Sequence, residues 1–144
     1  MANLNQFFQS GTELDYAVGQ QLVITMRLFG SANSFQDLSL TREVFTPDGS
    51  NSYQVIAITE RHSVIGSTTL MLVKAAGSTP LGSGLNVLQS TLDLTAAVDV
   101  VRLGTLYAST GLTQIVPGDA LGLRATNLGN LPPVGIVSIQ LQRI

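Results

Sequence analysis

The sequence predicts an all-β protein: a single antiparallel β-sandwich of the jelly-roll kind preceded by an N-terminal arm. Three observations predict it. Apolar and polar residues alternate with period two in stretch after stretch, clusters of Gly, Pro, Asn, Asp and Ser separate the stretches, and no long segment carries an amphipathic helical period. The 144 residues suit one domain, with residues 1–20 read as an arm or edge segment and 21–144 as the sandwich.

The first twenty residues fit neither period. Gly11 and Gly19 break the segment, and adjacent Phe7 and Phe8 cannot both face one core from a strand. Leu4, Phe7 and Phe8 are therefore the candidates for contact with a partner or another subunit. "QLVITMRLF" then places Leu22, Ile24, Met26 and Leu28 on one face, with Gln21, Thr25 and Arg27 on the other. "LSLTREVF" repeats the pattern with Leu38, Leu40 and Val44, and "TPDGSNS", residues 46–52, supplies turn formers that close it.

"YQVIAITE" begins the next strand, and "TLMLVKA", residues 69–75, is apolar on both faces, as a strand covered on both sides requires. "AGSTPLGSG" is a loop. "LNVLQSTLDL", "VVRLGTLYAS", "DALGLRA" and "GIVSIQLQRI" complete a set of eight or nine strands, and in the last of these Val137, Ile139 and Leu141 alternate with Ser138, Gln140 and Gln142. Short helical turns fit at "GSANSFQDL" and "LTAAVD".

Composition narrows the partners. Charged residues are 11% of the chain against about 25% in ordinary soluble domains, and mean hydropathy is +0.33. A surface so poor in charge implies cover by other subunits or a larger assembly. One lysine, six scattered arginines and a net charge of -2 form no basic stripe, which argues against direct nucleic-acid binding. The chain has no cysteine, so disulfides and thiolate chemistry are excluded. No leader pattern and no apolar run of membrane length is present, so a soluble protein made in the cytosol and not exported is expected.

The richest chemistry lies in "ITERHSV", residues 58–64, where the sole histidine, His62, follows Glu60 and Arg61. On a strand, Glu60 and His62 share a face about 7 Å apart, with Arg61 opposite. The pair has no nucleophile and no second ligand, and it follows the apolar part of the strand, where polar groups are expected to emerge into solvent. A structural role is therefore expected, with no catalytic, metal or cofactor residues. "GSTPLGSG", residues 77–84, lacks the Gly-Lys-Ser/Thr ending of a phosphate loop. Asp93, Asp99 and Asp119 lack calcium-loop spacing, and one histidine cannot build a cupin metal site. Tyr16, Tyr53 and Tyr107 are read as packing residues, since stacked sugars would need more exposed aromatics.

Taken in order, "YQVIAITERHS", "TLMLVKA" with "GSTPLGSG", "STLDLTAAVDVVRLGTL", "VPGDALGLRAT" and the closing "VGIVSIQLQRI" resemble tailed-bacteriophage head decoration proteins, also called cement proteins. The resemblance runs from about Tyr53 to Ile144, roughly two-thirds of the chain, and leaves out the N-terminal third. It implies a homotrimeric β-sandwich protein of the virion, made in the host cytoplasm. Such a protein sits on the outer capsid surface at threefold and quasi-threefold positions and ties neighbouring major capsid protein subunits together. On this reading the chain is a structural protein and not an enzyme, with no cofactor and no membrane partner. The alternative is a glycan- or host-binding β-sandwich module on the virion exterior or tail.

Overall fold

A computed structural model of the chain describes residues 18–28, 41–47, 49–126 and 134–144. These residues form ten strands: β1 Gln21–Leu28, β2 Thr41–Phe45, β3 Tyr53–Val64, β4 Thr69–Ala75, β5 Leu85–Asn86, β6 Leu92–Asp93, β7 Arg102–Leu103, β8 Gln114–Ile115, β9 Ala120–Thr126 and β10 Val134–Arg143. All pairings are antiparallel. In the first sheet β1, β10 and β3 lie side by side, and β7 and β8 both pair with β3; in the second β2, β9 and β4 lie side by side, and β5 and β6 both pair with β4. The predicted all-β, sandwich-like class is the observed one.

The period-two stripes explain the core. Val137, Ile139 and Leu141 of β10 and Ile58 of β3 join Leu70, Leu72, Leu121 and Leu123 of the second sheet in one buried cluster. Each such side chain contributes roughly 1.5–3 kcal/mol relative to exposure. β1 lies at the edge of its sheet among the described residues, so Leu22, Ile24 and Met26 face the core but remain half-buried. β4 is buried on both faces, as its sequence predicts. Its second cover is the glycine-rich loop, which passes through a 3-10 turn at Leu81–Ser83 while Arg124 of β9 donates to Gly82 O and Asn86 Oδ1.

The expected strands over 85–94 and 100–109 are largely replaced by irregular chain. Val87 and Leu88 are both fully buried, which neighbouring residues on one regular strand facing one core cannot achieve. The chain instead pairs briefly with β4 at Leu85–Asn86, bridges Leu88 to Leu106, and returns to β4 at Leu92–Asp93. "LTAAVD" forms turns and no helix, and its last residue, Asp99, takes a left-handed φ of 60°. A one-turn helix at Thr110–Thr113 was not expected. At "VPGD", Pro117 and Gly118 (φ +93°) make the turn into β9, closed by Asp119 N donating to Val116 O.

The expected helical turn at "GSANSFQDL" lies outside the described residues. Of the segment read as an arm, residues 18–20 are described. There Gly19 N donates to Arg143 O and Arg143 N to Gln20 O, so the β1–β10 ladder continues past Gln21.

Candidate functional site

His62 and Glu60 sit side by side on the inward face of β3, and both are essentially inaccessible, at 0% and 1% exposure. This overturns the expectation that the polar end of the strand emerges into solvent. Two local causes act together. Opposite β10, Gln140 faces Ala57 while Leu141 faces Val55, so Ile56 is an extra, bulged residue. The bulge resets the alternation: Tyr53 and Val55 point inward before it, and Ile58, Glu60 and His62 after it.

The second cause is the segment from β6 to β7, which crosses from one sheet to the other over this end of the sandwich. It is tied down by Gly66 N donating to Leu94 O, Leu94 N to Thr68 O, and Asp99 N to His62 O. Its carbonyls receive the buried polar groups. His62 Nε2 lies 2.9 Å from Ala96 O, and Arg102 donates to Ala97 O and Val100 O.

His62 Nδ1 is 2.5 Å from Glu60 Oε1. Because a carbonyl has no hydrogen to give, Nε2 donates to Ala96, and a further proton fills the short contact between Nδ1 and Glu60. The other carboxylate oxygen, Oε2, makes no hydrogen bond among the described residues and faces Arg102 Nη1 at 3.7 Å. Histidine, carboxylate and guanidinium thus form one buried electrostatic unit that fastens the crossover. Both ring nitrogens are already engaged and neither is open to solvent, so this arrangement binds protein to protein and gives a substrate no access to either group.

The three aspartates have local partners. Asp93 accepts from Thr95 N and Thr95 Oγ1, and the side-chain and then the backbone hydrogen bond hold its carboxyl below the ordinary value. Asp99 pairs with Arg61 at 2.8 Å, and Asp119 pairs with Lys74 at 3.2 Å and accepts from Val116 N. Among the described residues no group of three or more His, Cys, Asp and Glu is placed to hold a metal ion, and no helix is long and apolar enough to cross a membrane. Tyr53 packs edge-on against Phe45 with centroids 5.1 Å apart, whereas Tyr107 is exposed. Tyr16 and the candidates Leu4, Phe7 and Phe8 lie outside the described residues.

The outward face of the first sheet has a different character. Its register sets Val23 beside Gln140 and Ala57, Thr25 beside Ser138, Thr59 and Leu103, and Arg27 beside Ile136 and Arg61. Val23, Ile136 and Leu103 are 52%, 48% and 70% exposed, and Val101, just before β7, is also exposed. No described strand residue on this face is a carboxylate. Sequence reading placed Arg27 opposite the apolar face of its strand and Arg61 opposite Glu60 and His62; nothing in their spacing showed that one β10 residue lies between them.

Comparison with models of protein families, with curated proteins and with solved structures gives no match.

Proposed function

We infer that the chain is a non-enzymatic structural protein of a virion, one that docks on the outside of the mature capsid and cements neighbouring major capsid subunits. The observation that carries this reading is the outward face of the first sheet, where valine, isoleucine and leucine side chains stand exposed among uncharged polar residues and two arginines, Arg27 and Arg61, with no carboxylate on the described strands of that face. A face of this composition suits cover by another protein surface. The order of sequence features that resembles phage decoration proteins supplies the particular partner, and the sealed Glu60–His62–Arg102 unit fits a structural role.

The protein works as a homotrimer in this reading, with an interface on the order of 2,000 Å² or more of total buried surface. The N-terminal segment with Leu4, Phe7 and Phe8 adds lattice or subunit contacts. Cementing follows from linkage: a protein that binds the expanded lattice and not its precursor stabilises the expanded state by its binding free energy, summed over many copies.

Light scattering and co-sedimentation with sugar-free, DNA-free capsids of the virus that encodes the chain test the proposal. Three times the 15.2 kDa chain mass and saturable capsid binding are expected. A monomer that ignores capsids but melts at a higher temperature with a glycan would replace this reading with the host-binding alternative.

A further inference from the structure

At the end of the first sheet a cleft of about 350 Å³ opens between β1, β10 and β3. Arg27, Ile136 and Arg61 stand in one cross-strand row, and Leu28, Val134, Gly135 and Ser63 complete the lining. The two arginines are two strand spacings apart, roughly 9.6 Å between backbones, so both guanidiniums can reach one group held above Ile136. Ser63 is itself bulged out of the β3–β10 ladder and donates to Val134 O.

Among the described residues the charges at this cleft are not balanced. Asp99 occupies Arg61 Nη2, yet a guanidinium has five donors, and the rest of that fork remains available. Arg27 has no ion-pair or hydrogen-bond partner among the described residues. Of the aspartates and glutamates whose side chains are described, Glu60 is engaged with His62, Asp93 with Thr95 and Asp119 with Lys74, and Asp99 takes one nitrogen of Arg61 at the cleft itself. Uncommitted positive charge beside exposed isoleucine therefore calls for an anion that also brings apolar surface.

We propose that this cleft receives an acidic segment of a partner protein, an aspartate or glutamate carboxylate lying between Arg27 and Arg61 while an adjacent apolar side chain packs on Ile136 and Val134. A planar carboxylate matches the guanidinium fork in two parallel hydrogen bonds, and the apolar lining gives free phosphate nothing to pack against. The proposal rests on the docking reading for who the partner is, but the chemistry of the cleft can be tested without any capsid.

Isotope-labelled full-length protein titrated with N-acetyl-Glu-Leu-amide provides the test, read from the amide shifts of Ser63, Gly135 and Ile136. Saturation near a Kd of about 1 mM is expected, weakened at least about tenfold in Arg27→Gln and less in Arg27→Lys. Arg27 is exposed, and unchanged shifts at Leu72 and Val87 would certify the fold of each variant. Equal binding of N-acetyl-Gln-Leu-amide, equal or tighter binding of inorganic phosphate at these amides, or undiminished peptide binding by Arg27→Gln would each overturn the proposal. Peptide binding by a protein that ignores capsids would sustain the cleft and sink the docking reading alone.

Discussion

His62 Nδ1 and Glu60 Oε1 approach to 2.5 Å in a place that water does not reach, with Arg102 Nη1 3.7 Å from the second carboxylate oxygen. Breaking such a unit leaves an unpaired charge in the interior, a cost of about 3–5 kcal/mol. Glu60→Ala is therefore expected to lower unfolding free energy by that amount in urea titrations, and His62→Ala by a comparable amount. The double variant should cost clearly less than the sum of the two. Additive losses would show that the two side chains do not act together.

Loosening the crossover should be visible locally before it is visible globally. In His62→Gln, hydrogen exchange at Asp99 N, which donates to His62 O, is expected to accelerate more than exchange at Leu72 N in β4. A uniform acceleration across both sheets would mean that the segment is not a separate unit.

Gly135 sits where β10 crosses β3 so closely that an added Cβ would collide with Arg61 O and His62 Cα, both backbone atoms that cannot swing aside. Gly135→Ala should destabilise the protein by about 1–3 kcal/mol, as overpacking does. An unchanged melting temperature would contradict this geometry.

Asp99 combines a left-handed φ of 60° with an exposed ion pair to Arg61. The conformation should matter more than the charge, since exposed pairs are worth about 0–1 kcal/mol while a left-handed residue costs roughly 1–2 kcal/mol unless it is Gly, Asn or Asp. Asp99→Asn is expected to be nearly neutral and Asp99→Val clearly destabilising. Equal effects of the two would assign the cost to the lost charge.

The hydrogen bonds from Thr95 lower the folded-state pKa of Asp93 below its ordinary value of 3.8. A depressed folded pKa means stability that is fully present above the unfolded value and lost as pH falls through the folded one. The stability gap between the native chain and Asp93→Asn should therefore be constant above the ordinary value and shrink in more acidic solution. A gap that widens on acidification would reverse the assigned sign. The carboxylate is exposed, so the gap itself is small.

Much of the fold was legible in the chain because a strand writes its burial into every second residue. Val137, Ile139 and Leu141 needed no neighbour to declare their face, and the doubly apolar run 69–75 declared a strand covered on both sides. The shortage of charge was equally plain, since composition does not depend on conformation. The short irregular strands from Leu85 to Leu106 were not legible, because their pairing follows long-range partners and not a local period.

Sequence by itself determined that Glu60 and His62 share a face and that Arg61 opposes them. Only the tertiary structure decided that this face is the interior. One bulged residue, Ile56, shifts the alternation by a step, and a crossover some thirty-five residues later closes over the pair and brings Arg102 to it. The same holds for Arg27 and Arg61: the period of β1 turns Arg27 outward, whereas Arg61 faces outward because the bulge at Ile56 resets the alternation of β3. What places them on either side of Ile136 is the register of β10 between β1 and β3, a relation fixed by packing the apolar stripes of three separate strands against one core.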